Sequence, residues 1–333
     1  MQGLRTGVIC LLMVAGPLVL ATARSGQQPA KTAPEIPEAD VRVTTLTTNA
    51  ADTVGQGEWS FAAWIEVGQR AFLFDTGWSP TNVLSNATAL GIDLSIAEDL
   101  ILSHHHGDHT GGLLTLRTEL SKRNPNALSR IHVAAGIFDS RPRPDGTERN
   151  PMVALRARLE ASGATFILYD RPSEIAPGVW VTGPVPRLHD EQNYPVGPTR
   201  VVVQEERAVP DRISESQSLV VLAPEGPILV SGCGHAGLIN TLEHTHSKIS
   251  ARPPQAAIGG FHIFAASEKV LTWTAERLAA MKLGHFLGSH CTGFESVYRI
   301  RALAGMTSAT AKIGAVGTRY ESGRGIVPGA INR

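Results

Sequence analysis

The chain has 333 residues, 42% of them hydrophobic and 18% charged, with 30 basic and 30 acidic side chains for a formal net charge of zero. That length holds one large domain or two modest ones, with ample material for a core. The balanced charge argues against a surface built for nucleic acid or anionic membrane and leaves a small molecule as the expected partner.

Met1 to Gly7 carries Arg5, Val8 to Leu20 is almost wholly apolar, and Ala21-Thr22-Ala23 supplies small residues. This pattern predicts a signal peptide over residues 1–23 that directs the chain to the periplasm or the medium. The apolar run is short for a bilayer span, so no stable membrane anchor is expected once it is removed. Cys10 would leave with it. Arg24 to Asp40 reads as a flexible lead-in, and 41–333 as one domain. "VRVTTLTT", "WSFAAWIEV" and "RAFLF" read as successive strands, the last ending in "DTG". Ser79-Pro80 predicts a helix start with Ser79 as N-cap, and Gly91 closes that helix. "LILS" is a short strand running into "SHHHGDHTGG", and "LLTLRTEL" is a helix. Further strands are predicted at "IHVAA", "TFILY", "VWVTG", "SLVVLA" and "PILVSG". Helices are predicted near Met152–Ser162, Leu238–Ile249, Glu268–Met281 and Glu295–Ala304. Strands mixed with helices throughout imply a layered α/β domain. The irregular stretch 139–211 is the expected cap over a site.

"SHHHGDHTGG", Ser103 to Gly112, places four of the twelve histidines in ten residues. His104 and His106 project to one side of a strand end, and Gly107 lets the backbone reverse before Asp108 and His109. Imidazoles with a carboxylate form a divalent-metal ligand set that favours zinc, with manganese or iron as alternatives. His105 is expected to point away. Cys233 in "SGCGHAG" and Cys291 in "GSHCTG" are either thiols or a disulfide pair. His244 and His246 lie on one helix and are expected at its surface. His132, His189 and His285 lack a partner pattern.

These motifs, with "FDTGWS" upstream and "SGCGHAGLIN", "GGFHI" and "GSHCTG" downstream, resemble those of the metallo-β-lactamase superfamily over Val41 to Gly317. They resemble in particular its branch of dihydropterin-ribofuranosylaminobenzene-phosphate synthases. The resemblance implies a four-layer αββα sandwich with one or two metals at the edge of its sheets. It implies that His104, His106 and His235 bind one ion and that Asp108, His109 and His290 bind the other. Asp75 is expected to support a ligand histidine, Trp78 to wall the pocket, and Cys233, His262 and Thr292 to lie behind the ligands or against substrate.

A divalent ion supplies hydroxide near neutral pH. The expected activity is therefore metal-dependent hydrolysis of an ester, lactone, lactam or phosphoester-type bond, with Asp108 orienting the hydroxide and handling the proton. The alternatives are a synthase-like transferase and a non-catalytic periplasmic metal-binding module. A Cys233 nucleophile with His235 as base is a weaker rival. Many superfamily members carry an acidic ligand between the third and last ligand histidines, but Ala236 to Ser289 contains no aspartate. His262 is the substitute the sequence offers there. With a single carboxylate between two dications, the second ion is expected to bind more weakly than the first.

Overall fold

The computed structural model describes residues 40–191 and 199–332. The expected signal peptide and nearly all of the lead-in lie outside these residues. The strands are β1 (Val41–Thr47), β2 (Ala62–Val67), β3 (Arg70–Phe74), β4 (Asp99–Ile101), β5 (Arg130–Ala134) and β6 (Thr165–Tyr169). They continue as β7 (Ser173–Ala176), β8 (Val179–Val181), β9 (Val201–Gln204), β10 (Arg207–Pro210), β11 (Ser218–Ala223) and β12 (Gly226–Ser231). Last come β13 (Ala256–Gly259), β14 (His285–Gly288), β15 (Ala311–Ile313), β16 (Arg319–Glu321) and β17 (Gly325–Val327). One sheet runs β17-β16-β1-β2-β3-β4-β5-β6 and the other β15-β14-β13-β12-β11-β8-β7, with β9 and β10 a separate pair. The helices are α1 (Asn82–Ala89), α2 (Gly107–Thr110), α3 (Leu113–Ser121), α4 (Pro151–Ala161), α5 (Leu238–Lys248), α6 (Glu268–Ala280) and α7 (Phe294–Leu303).

Three apolar clusters define the layers. Val43, Phe61, Ile65 and Phe74 of the first half pack on Val181, Leu219, Ile228 and Ile258 of the second, forming the core between the sheets. Leu73, Leu100 and Ile131 pack outward on Val83 of α1, Leu116 of α3 and Leu159 of α4. On the far side Val220, Leu229 and Phe286 meet Leu242, Leu271 and Ile300 of α5, α6 and α7. The result is an αββα sandwich. Strands β11 and β12 are buried along their whole length because both faces are covered, which explains their unbroken apolar runs. Among the described residues no helix is long and apolar enough to cross a membrane.

Two expectations change. Helix α1 starts at Asn82 after Thr81, with no side-chain cap. In the turn before it, the N–H groups of Trp78 and Ser79 donate to the Glu58 carboxylate at 2.9 and 3.1 Å, so Ser79 belongs to that turn and not to the helix cap. The stretch 139–211 gives only some of its described elements to the sandwich, and β9 and β10 form a pair apart from both sheets. Within it α4 packs against the first sheet, β6 forms that sheet's edge, and β7 and β8 extend the second.

Candidate metal centre

The expected ligands all sit just beyond strand ends. His104, His106, Asp108 and His109 follow β4 of the first sheet, whereas His235 follows β12 and His290 follows β14 of the second. Close backbone approach makes this convergence possible. A Cβ on Gly232 would lie 2.2 Å from Ser103 Oγ and 2.5 Å from Asp75 Oδ2, so only glycine lets the β12 loop reach the histidine turn. His290 is tied across the sheets, its N–H donating to Thr48 Oγ1 at 2.9 Å and its carbonyl accepting from Asn49 Nδ2 at 3.1 Å.

Asp75 organises the first half. It sits in left-handed backbone at φ 55°, and its side chain is fully buried. Oδ1 accepts the Ser103 N–H and Oδ2 the Ser103 hydroxyl, each at 2.7 Å. With that hydroxyl hydrogen committed, His104 Nδ1–H donates to Ser103 Oγ at 2.8 Å. His109 Nδ1–H donates to Asp75 Oδ2 at 2.7 Å. Both imidazoles therefore present Nε2 lone pairs to the interior, the orientation a metal requires. His104 Nε2 is buried without a hydrogen-bond partner. Burial, then the neighbouring imidazoles, pushes His104 and His235 well below the ordinary histidine value, and burial does the same for His106. Neutral imidazoles are the ligating form.

The ring centroids of His104 lie 4.5, 4.4 and 4.7 Å from those of His106, His109 and His235. His104, Cys233 and His235 form one group whose donor atoms lie within 4.8 Å of one another, and His109, Cys233 and His290 form a second. Asp108 Oδ2 is 3.3 Å from His290 Nε2. Burial opposes its ionised form, but His109 and His290 outweigh that and hold the carboxyl well below its usual range. His290 is the exception among the imidazoles. Burial opposes its charged form, yet Cys291 and Asp108 lift it to about 9.

The remaining expected residues take different places. Cys233 and Cys291 are free thiols with sulfurs 3.3 Å apart. The imidazole bonded to Cys233 is His109, at 3.1 Å, rather than the base expected for a cysteine nucleophile. The His262 ring lies 4.7 Å from that of His235. Thr292 works as a fastener: its hydroxyl donates to the Gly259 carbonyl and accepts from the Phe261 N–H. Trp78 is exposed, and the indole that touches a candidate ligand is Trp59, 4.9 Å from His290. His244 is buried, with Nε2 3.3 Å from the Thr182 carbonyl, so only His246 of that pair is exposed.

Three supporting groups escape sequence reasoning. Besides Trp59 these are Glu215, which accepts from His105 Nδ1 at 2.5 Å, and Arg141, which donates to Glu215 at 2.6 Å and to Asp211 at 3.1 Å. Burial, then Arg141, pushes His105 down to about 3, so this neutral imidazole anchors the turn from behind. Beside the centre lies a cavity of about 970 Å³ whose lining includes His189, Glu191, His262, Phe264, Lys269 and Trp273.

The family model of the metallo-β-lactamase superfamily matches residues 60–250, more than half of the chain. The chain belongs to this superfamily. A 7,8-dihydropterin-6-methyl-4-(β-D-ribofuranosyl)-aminobenzene-5'-phosphate synthase of Methanocaldococcus jannaschii is 29% identical over 238 residues, 68% of this chain and 77% of that one. Among solved structures, a metal-dependent hydrolase of the β-lactamase superfamily shares the fold with a TM-score of 0.67 at 22% identity, covering 84% of this chain and 98% of that one. The metallo-β-lactamase fold protein YhfI of Bacillus subtilis superposes with a TM-score of 0.53 at 11% identity, covering 85% and 100% of the two chains. The superfamily implies metal ions, and the inward donor set, with the orphaned His104 Nε2, fits them.

Proposed function

We propose that the protein is a metal-dependent hydrolase acting on an ester, lactone, lactam or phosphoester-type bond of a small molecule. The observation that carries this reading is the convergence of imidazole and thiol donors from both sheets beside a cavity large enough for a metabolite. A divalent ion held there, zinc by donor preference and manganese or iron as alternatives, would supply Lewis acidity and an acidified water molecule. His104, His106 and His235 would hold one ion, and Asp108, His109 and His290 the second. Asp108, held in its ionised form and with a side chain 12% exposed, would take a proton and return it to the leaving group. His262 and Phe264, both in the cavity lining, would orient the substrate.

A second reading is a transferase like the synthase, favoured by the 29% identity. Among the described residues of the lining, Lys269 is the single lysine or arginine, and it shares the wall with Asp190 and Glu191. That balance suits a neutral or singly charged substrate better than a multiply charged phosphate. We also propose that the chain is exported, on the pattern of residues 1–23; N-terminal sequencing of protein recovered from cell fractions tests this.

The functional test is a panel of esters, lactones, lactams and phosphodiesters, with the synthase reaction included, assayed on protein of measured metal content. Turnover should require metal. His106→Ala and His235→Ala should abolish turnover and lower bound metal, whereas His246→Ala on the exposed face of α5 should do neither. Full turnover in protein stripped of metal would overturn the reading, and metal binding with no turnover of any panel member would favour a binding module.

A further inference from the structure

The two donor groups share one atom. Cys233 Sγ lies within 4.8 Å of the donor atoms of His104 and His235 in one group and of those of His109 and His290 in the other. We propose that Cys233 is a ligand common to both metal sites, a thiolate that bridges the two ions in the place where a carboxylate was expected. This rests on the metallohydrolase reading and deepens it.

Geometry supports the assignment from several sides. Ligand atoms on a tetrahedral zinc, with Zn–S of about 2.3 Å and Zn–N of about 2.0–2.1 Å, stand about 3.5 Å apart. Each group is therefore close to closing around an ion. His109 Nε2 is already 3.1 Å from the sulfur. His104 Nε2, fully buried and without a hydrogen-bond partner, supplies an independent unsatisfied donor in the first group. The loop is shaped for this placement. Gly232 permits contact with Ser103 and Asp75, and Gly234 at φ 59° turns the chain so that Cys233 and His235 serve the same group.

Charge points the same way. Asp108, 3.3 Å from His290 Nε2, gives the second site one carboxylate, but neither three-donor group includes a carboxylate that both ions could share. Downstream, Glu243 is engaged by His189 and Arg277, Glu268 by Arg299, and Glu276 is exposed. Two dications at close range need an anion between them, and a coordinated thiol is deprotonated. On loading, the Cys233 S–H bond breaks, its proton passes to solvent, and two sulfur–metal bonds form with no change of oxidation state. The weakly held second ion expected from the missing aspartate is thereby replaced by two ions held with comparable strength. Cys291, 3.3 Å from Cys233, belongs to neither group and is the natural control.

The test is cobalt(II) loading of the full chain, followed by near-ultraviolet absorption and metal analysis during stepwise chelation. Wild type should bind two ions, show a sulfur-to-cobalt charge-transfer band, and lose both ions over one chelator range. Cys291→Ser should behave alike. Cys233→Ser should lose the band and weaken at least one site by about tenfold or more. Cys233→Asp should restore two ions without the band, which separates ligand loss from misfolding. Two cobalt ions with no band in wild type, or a band that persists in Cys233→Ser, would overturn the proposal while leaving the hydrolase reading intact. A band from a single bound ion would overturn the sharing, and failure to bind any metal would overturn both.

Discussion

At the scale of single residues, Asp108 and Asp75 are both buried acids of the centre, yet they face different tasks. Asp75 spends its oxygens on Ser103 and His109 and fixes which nitrogen each imidazole turns inward. Asp108 sits against His290 with its side chain 12% exposed, and in the proposed reaction it would carry the proton. Asp108→Asn should therefore retain the ion held by His104, His106 and His235 while losing roughly a hundred- to ten-thousand-fold in rate. Turnover and metal content of the same preparation check this; unchanged rate at matched metal would reduce Asp108 to a turn residue. The donors of the histidine turn were legible in the sequence because four histidines and an aspartate fall within a few positions. Glu215 was not, since it meets His105 across 110 residues of chain and carries no local pattern. Trp59 escaped for the same reason, whereas Trp78 drew attention only by standing next to "DTG".

Among the elements, β4 is short, three residues, yet it delivers the histidine turn. Its first residue, Asp99, accepts from Arg130 Nε at 2.7 Å and from His132 Nε2 at 2.9 Å on the neighbouring β5. Burial works against the ionised carboxyl, but these bonds outweigh it and lower the pKa to about 2. A depressed acid contributes stability that is complete above its ordinary value of about 3.9 and lost as pH falls through the folded value. Asp99→Asn should thus be less stable than wild type at neutral pH, and the gap should narrow below about pH 4. Chemical denaturation of both proteins across that range measures it; a gap independent of pH would contradict the assignment. Long apolar runs such as β11 and β12 were readable because covered faces need uninterrupted hydrophobic residues. Sheet membership was not readable, because β16 pairs with β1 across most of the chain and β17 joins the sheet only through β16. The start of α1 differs from the expected one because the Trp78 and Ser79 amides are held in a turn by Glu58, a partner about twenty residues upstream.

For the whole molecule, the layered class followed from alternating strands and helices, but the meeting of the two sheets at the centre depends on contacts no local pattern encodes. Because the candidate ligands come from both sheets, metal loading should stabilise the sandwich as a unit. A ligand at a hundred times its Kd adds about 2.7 kcal/mol to the folded state. Chelation should lower the melting temperature by several degrees in one cooperative transition, visible by calorimetry; an unchanged melting temperature after complete metal removal would contradict ligation across the sheets.

Gly232 gives this arrangement a particular vulnerability. It acts as a spacer of zero thickness between the two halves of the donor set, its nearest neighbours being Ser103 and Asp75. Gly232→Ala adds one methyl group where Ser103 and Asp75 already stand at 2.2 and 2.5 Å. Such a variant would keep every donor and still fail as a chelate, because the bite of the site is set by distance as much as by chemistry. A survey of inherited changes that looks only for lost histidines would pass it as intact.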